Sequence, residues 1–415
     1  MYIKRIEAEN YRGFRKIDLS LNNKFTILCG PNGVGKSTVL FAIATALNYF
    51  APEYHRLDET TQLKLSFNDR DSADSSIGFG VGTYRGSSGI GGIFQGVYPY
   101  KDIEGNIKNI HISNVEEKIS PLFIGPYRNV LYKKIQGMIS EGDISQGRRY
   151  YKENAVNFLS NGYNPDIKQW MVNRYFIIEK EWAELEKYNW NKILSGLGGI
   201  FNDENITFSF SRIERDLEPI FQINGDDVYL EELSSGFKSI LAIIFSIVEW
   251  VERTNEPLNA KIDEAKGTVL IDELDSHLHP SWQTKIKGVL ESNFPNLQFI
   301  VTTHSPHIIS SGEPGEVFVL KRSHGVLESQ VINSNLEYWK TEFVFTDIMK
   351  VDTNYEQNLN YFIDQIEDSI DNKDFKSALE VVEEYSHKSH PDDNTAKIFK
   401  RRIENLMKHN EGEND

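Results

Sequence analysis

The densest chemistry in the 415-residue chain lies in eight consecutive residues, Gly30-Pro31-Asn32-Gly33-Val34-Gly35-Lys36-Ser37. They follow the apolar run Phe25-Thr26-Ile27-Leu28-Cys29 and precede a stretch from Thr38 to Tyr49 that is apolar on nearly every side. Glycines at this spacing let successive backbone N–H groups face one point, and a helix opening near Lys36 aims its positive end at the same point. Strand, glycine-rich loop and helix are the setting in which GxxxxGK[ST] binds nucleotide phosphates. Lys36 is expected to reach the β- and γ-phosphates of ATP and Ser37 to ligate Mg²⁺. Asn32, Gly33, Val34, Gly35 and Thr38 complete the expected nucleotide contacts. A second pattern answers the first. The run Val269-Leu270-Ile271 ends in Asp272-Glu273, and a buried strand ending in two carboxylates can divide their roles. Asp272 would hold Mg²⁺, while Glu273 would orient and deprotonate the attacking water.

The remaining motifs, in their order along the chain, resemble those of ABC-type ATPases. Leu233-Ser234-Ser235-Gly236-Phe237-Lys238 looks like the LSGGQ signature, with Ser235 and Phe237 replacing a glycine and the glutamine. Glu273-Leu274-Asp275-Ser276-His277-Leu278-His279-Pro280 is similar to the D-loop of OLD-like ATPases, and Val301-Thr302-Thr303-His304-Ser305-Pro306 resembles their switch-histidine segment. Asn10-Tyr11-Arg12-Gly13-Phe14 is similar to the start of SMC-type ATPases, where the arginine lies near the phosphates. The resemblance implies that His304 takes part in catalysis and that Arg12 contacts nucleotide. It further implies a head-to-tail homodimer, or a higher homo-oligomer, that closes around ATP and Mg²⁺. Ser234, Gly236 and Asp275 would then act across the interface in a two-fold arrangement. One departure concerns the glutamine of the Q-loop, expected after Leu122-Phe123-Ile124, where Gly125-Pro126-Tyr127-Arg128-Asn129 stands instead.

Over the whole chain the sequence resembles bacterial AAA-family ATPases with an ABC core, the kind found in Septu and retron-linked defence operons. The segments Ser377-Ala378-Leu379-Glu380 and Phe399-Lys400-Arg401-Arg402-Ile403 look like that group's tail. Such proteins are expected to control an HNH-type nuclease partner. The spacing from Lys36 to Asp272, 272 − 36 = 236 residues, exceeds that of transporter ATPases but fits SMC- and OLD-type insertions. An autonomous OLD-type nuclease would need a further metal-binding domain after His304, where 415 − 304 = 111 residues remain and read mainly as helices. An SMC-type DNA-repair ATPase is the other alternative.

These residues need a frame to position them. The expected fold is α/β: an ABC-type P-loop core, a mixed sheet with flanking helices, over 1–126 and 201–335. An aromatic-rich helical lobe is expected at 127–200 and a C-terminal helical region at 336–415. Within the core, strands are expected at 2–11, 17–21 and 25–29, with short runs such as 63–67 and a Gly/Ser-rich turn region at Gly86–Gly92. Val269–Ile271 and Phe299–Val301 do not alternate and so read as parallel core strands. Helices are predicted over 236–252, 280–293, 354–370, 373–387 and 393–409.

Composition bounds the rest. The chain is 39% hydrophobic and carries 61 acidic against 45 basic residues, a net charge of −16. A surface basic everywhere is excluded, yet a local groove could still bind DNA, directly or through the partner. Between Pro121 and Lys152 six basic residues (Arg128, Lys133, Lys134, Arg148, Arg149 and Lys152) face two acidic ones, Glu141 and Asp143. That stretch is either a DNA-binding groove or a solvated helical face. The aromatic residues of the lobe, Trp170, Trp182 and Trp190 among them, could stack bases but suit core packing better. His277, His279, His304 and His307 are better explained by ATPase loops than by zinc. The single cysteine, Cys29, reads as a small buried hydrophobe and, with no apolar stretch of membrane-spanning length and no signal peptide, suggests a cytoplasmic protein.

Overall fold

The hairpin Tyr2–Tyr11 (β1) and Phe14–Ser20 (β2) opens the fold, and Phe25–Cys29 (β3) leads into helix Lys36–Leu47 (α1). In this computed structural model the described residues are 2–47, 61–68, 75–80, 97–101, 107–111, 120–128, 130–160, 166–202, 204–337, 339, 341–349, 354–389 and 395–412. The turn region expected at Gly86–Gly92 lies outside them. Strands Gln62–Asn68 (β4) and Ser75–Gly80 (β5), a separate ribbon Val97–Lys101 (β6) and Ile107–His111 (β7), and Leu122–Ile124 (β8) follow. Helices Ile144–Glu153 (α2), Ala155–Ser160 (α3), Ile167–Ile177 (α4) and Glu184–Phe201 (α5) come next. The antiparallel strands Phe208–Ile213 (β9), Pro219–Ile223 (β10) and Asp226–Tyr229 (β11) precede the long helix Ser235–Thr254 (α6). Gly267–Ile271 (β12), helices Pro280–Gln283 (α7) and Ile286–Asn293 (α8), Leu297–Thr302 (β13) and helix Pro306–Ser310 (α9) complete the core crossover, and the hairpin Val317–Ser323 (β14) and Val326–Ile332 (β15) ends it. Helices Asn354–Asp371 (α10), Phe375–Lys388 (α11) and Thr395–Gly412 (α12) close the chain.

Ten strands make one mixed sheet in the order β5-β4-β1-β2-β15-β14-β3-β13-β12-β8. This is the α/β architecture expected from the motifs, a mixed sheet with flanking helices. Its β14-β3-β13-β12-β8 half is parallel throughout, and β3, β12 and β13 are buried at every position. Such strands need cover on both faces, which explains their unbroken apolar runs. The β5-β4-β1-β2 half is antiparallel, and β4 alternates exposed and buried residues as a one-sided strand should. Gln298, wholly buried on β13, stitches the halves together. Its amide donates to the carbonyls of Ile3 (2.8 Å) and Asn22 (2.7 Å), and its oxygen accepts from Ile3 N (2.8 Å) and Thr268 Oγ1 (2.8 Å).

Several expectations shift. The helical pattern expected from 127 begins only at Ile144; residues 130–143 run without regular structure around Gly137 and Gly142. The 280–293 helix breaks into α7 and α8 at Thr284 and Lys285. Strand β11, and the β14–β15 hairpin among residues read mainly as helices, are additions. No helix among the described residues is long and apolar enough to cross a membrane.

The chain forms two compact units, Met1–Val344 and Phe345–Asp415. The second is a three-helix unit around Phe362, Ile366, Ala378, Val382, Tyr385 and Ile403. In the first, α6 is buried along most of its length, and each buried Ile, Leu or Phe stabilises the fold by roughly 1.5–3 kcal/mol. Glu249 sits on that buried helix. Its Oε1 accepts from Arg253 Nη1 at 3.1 Å, while its buried Oε2 has no hydrogen-bond partner. Burial pushes the carboxyl up to about 7, against the pull of Arg253. The folded state therefore keeps a proton that the unfolded chain, near 4.5, releases. The associated stability is fully present below pH 4.5 and lost as pH rises towards 7. Glu249→Gln should remove that slope and be the more stable protein at pH 8, by up to about 3 kcal/mol. Urea midpoints at pH 5 and pH 8, followed by tryptophan fluorescence, check this; all six Trp lie in the first unit.

Candidate nucleotide-binding site

The site forms where β3, β12 and β13 end side by side. The loop after β3 turns on glycines at φ 135° (Gly30), 73° (Gly33) and 111° (Gly35), conformations that side chains rarely adopt. Two of them also lack room. A Cβ on Gly30 would come 2.6 Å from the Leu320 carbonyl oxygen, and one on Gly35 would come 2.5 Å from the Phe14 ring. The hairpin end at Phe14 thus packs directly against the phosphate loop, and β14 crosses behind it. Over Gly33 the space is open, with no atom within 4 Å of the Cβ position.

Lys36 opens α1 as expected. Its ammonium donates to the carbonyls of Gly30 (3.0 Å) and Pro31 (3.1 Å). Burial lowers its pKa, opposed by the charges of Asp272, Glu273 and Asp275. Ser37 Oγ donates to Asp272 Oδ1 at 2.9 Å, and Thr302 Oγ1 donates to the same oxygen at 2.5 Å. A hydroxyl and a carboxylate oxygen in contact at the mouth of a phosphate loop are hard oxygen donors of the kind that Mg²⁺ takes. The residues present therefore fit ATP with Mg²⁺.

Beyond β12 the chain turns sharply. Glu273 lies in the left-handed region at φ 49° and His277 at φ 66°, a conformation costing roughly 1–2 kcal/mol for a residue with a Cβ. Glu273 is pinned there by its N–H to Thr302 Oγ1 (2.8 Å). Half-burial raises its carboxyl, and Asp272 and Asp275 raise it further, while Arg128 and Lys36 oppose. A raised carboxyl is a stronger base for water. His304 is held below its ordinary value by burial and next by Lys36, so its imidazole is neutral at pH 7. Asp275 Oδ1 accepts from Thr303 Oγ1 (2.6 Å) and from His304 N (3.1 Å). Asp275, expected across an interface, thus braces the switch segment of its own chain.

The signature segment lies at the start of α6. Ser234 is its exposed N-cap, and the hydroxyl makes no capping bond. Gly236 is needed sterically, because a Cβ would stand 2.8 Å from the Trp282 ring and 2.9 Å from the His277 carbonyl oxygen. Phe237, in the glutamine's place, packs with Phe201, Phe208 and Trp282. Among the described residues no hydrogen bond or ion pair joins Ser234, Ser235 or Gly236 to the phosphate loop. Arg12 occupies the β1–β2 turn at φ 47°, with its guanidinium 3.7 Å from the Phe41 ring centroid on α1. Cys29 is buried, its thiol pushed up to about 12 by burial, and is no nucleophile.

Two residues that sequence reasoning missed belong to this constellation. Thr302 could have been found from its place within the switch segment. Arg128 could not. It was counted in the basic stretch, yet it is 1% exposed. The rest of that stretch is largely engaged as well. Lys133 pairs with Asp166, Arg149 with Glu153, and Arg148 bonds the Thr254 carbonyl and lies 3.8 Å from Glu256. Of the two readings of this stretch, the DNA-binding groove therefore loses its most buried member outright, and three others face acids. Within the lobe, Trp170 and Trp190 pack against each other and, through Phe245 and Phe210, into the interior, so they are core rather than base-stacking surfaces.

Residues 1–77 match the family described as "AAA ATPase domain", and residues 156–310 match "AAA domain, putative AbiEii toxin, Type IV TA system". The chain is similar to the Septu protein PtuA of Bacillus thuringiensis, 25% identical over 97% of this chain and 98% of that one. It is 26% identical to the Retron Ec83 probable ATPase of Escherichia coli, over 82% of this chain and 75% of that one. It is also 26% identical to the OLD nuclease of Thermus scotoductus (strain ATCC 700910 / SA-01), over 73% of this chain but only 59% of the nuclease.

Proposed function

We propose that this chain, similar to Septu PtuA from end to end, is an ABC-type ATPase of a bacterial defence system. In this reading it binds ATP and Mg²⁺, closes as a homodimer, and controls a partner effector, an HNH-type nuclease. The observation that carries it is the meeting of Ser37 and Thr302 on one oxygen of Asp272, beneath a phosphate loop headed by Lys36. Ser37 and Asp272 would hold Mg²⁺, which would supply positive charge to stabilise the phosphates during transfer. Lys36 leaves its two carbonyls for the phosphates. Asn32 to Thr38 would supply N–H donors, and Arg12, on the β1–β2 turn beside α1, would add a peripheral contact to the nucleotide. Glu273 would take the proton of the attacking water, and His304, neutral, would hydrogen-bond near the γ-phosphate. The uncapped Ser234, with the bare amides at the start of α6, forms a half-site for an anion carried by the opposite subunit.

Ser234→Arg tests the dimer. Size-exclusion profiles with a non-hydrolysable ATP should show the parent shifting to a dimer and the variant remaining unshifted, while both bind nucleotide equally. A variant that dimerises like the parent removes the role across the interface. The similarity to OLD nuclease favours a second reading, an OLD- or SMC-like ATPase in DNA repair or processing. We favour control of a separate nuclease, because the residues after His304 build a core hairpin and a three-helix unit. Cleavage of plasmid DNA by the purified chain with Mg²⁺ or Mn²⁺ would reverse that preference.

A further inference from the structure

Arg128 is the largest fully buried side chain of the first unit, and every bond it makes goes to an uncharged oxygen. Its Nε donates to the Gly125 carbonyl (3.1 Å) and Nη1 to Ser239 Oγ (3.1 Å). Its Nη2 donates to the carbonyls of Asp272 (2.5 Å) and Glu273 (2.8 Å). Ser239 in turn donates to the Ser276 carbonyl at 3.2 Å. One planar guanidinium therefore joins four segments: the turn after β8, the end of β12, the second turn of the signature helix and the D-loop.

Burying a cation that hydrogen-bonds no carboxylate is costly, and the nearby charges of Asp272, Asp275 and Glu273 offset only part of that cost. Fold stability alone does not account for it, since an apolar side chain would fill the space at lower cost. What it achieves is geometric. Two adjacent carbonyls are fixed where the backbone leaves a strand for the left-handed conformation of Glu273, and the same plane reaches the helix whose N-terminus carries Ser234. Lysine, a point charge, cannot bridge these directions at once. Burial lowers the guanidinium to about 10, so it stays cationic at neutral pH.

We infer that Arg128 is a positioning residue that stands where the Q-loop glutamine is missing and locks the backbone turn carrying Glu273 and the signature helix into one block. A γ-phosphate seated against either part is then registered by the other. This rests on the ATPase reading above.

The test measures ATP affinity by equilibrium titration and hydrolysis by single turnover for the parent, Arg128→Ala and Arg128→Lys. Both variants should keep parental ATP affinity and lose roughly 10–100-fold in the hydrolysis rate, the usual cost of removing a supporting partner. Guanidinium ion added to Arg128→Ala should restore part of the rate, whereas sodium chloride at equal ionic strength should not. Should Arg128→Ala fail to fold, Arg128→Lys, with similar volume and charge, decides. Parental hydrolysis in Arg128→Lys overturns the inference. So does a parallel loss of affinity and rate in either folded variant, or a folded Arg128→Ala that guanidinium does not rescue. A parent that neither binds nor hydrolyses ATP overturns the ATPase reading itself, whatever the variants do.

Discussion

Glu273→Gln is expected to bind ATP as the parent does and to hydrolyse it roughly 10²–10⁴-fold more slowly, the range for losing a positioned general base. Glutamine keeps the side chain's shape and can still hydrogen-bond water, but it cannot accept a proton. The backbone contacts that set the turn, Glu273 N to Thr302 and its carbonyl to Arg128, use neither side-chain oxygen of Glu273 and survive the change. Binding and chemistry should therefore separate cleanly. The variant should accumulate as the ATP-bound dimer, visible as a persistent shift in size-exclusion chromatography with ATP itself. Hydrolysis at the parental rate would mean that another group is the base.

Lys36→Ala should abolish ATP binding at concentrations that saturate the parent. Removing one partner of a buried charged pair costs roughly 2–5 kcal/mol, so affinity should fall by about 30- to 5000-fold. No neighbour can substitute. Among the described residues Arg128 is fixed behind the acid pair by four bonds, and Arg12 is held over Phe41. The fold should tolerate the change, since Lys36 bonds only two loop carbonyls that water can satisfy. Titration with a fluorescent ATP analogue, beside a thermal melt, separates lost binding from lost fold. Near-parental affinity would remove the phosphate-loop assignment.

The parts of this site that could be read in the sequence are those whose physics is local. A glycine loop between strand and helix, or a carboxylate pair closing an apolar run, carries its geometry in adjacent residues. Gly236 could be placed on a helix start, but its need for a bare α-carbon depends on Trp282 and His277, some forty residues away. Arg128 was misread because a charge among charges suggests a surface, while its partners lie 111, 144 and 145 positions along the chain. Asp275 shows the same limit, since which oxygen it faces depends on the switch loop and not on its own motif. The aromatic lobe was legible as helix from Ile144 onward. The irregular stretch before it was not, because its course follows the buried anchor at Arg128 rather than any periodicity.

The strand order also bears on how the chain is made. Strands β2 and β3 are separated by four residues in sequence, yet in the sheet the hairpin β15–β14 stands between them. Val326 and Leu327 pair with Lys16 and Ile17, and Val317 to Val319 with Ile27 to Cys29. On a ribosome adding ~5–20 residues per second, β2 and β3 emerge ~15–60 s before the strands that fill the gap. During that interval two strand edges stay open to any other nascent chain. Completion of the sheet therefore waits on a late segment of the chain, and the yield of native protein should depend on chaperones that shield those edges until the hairpin arrives.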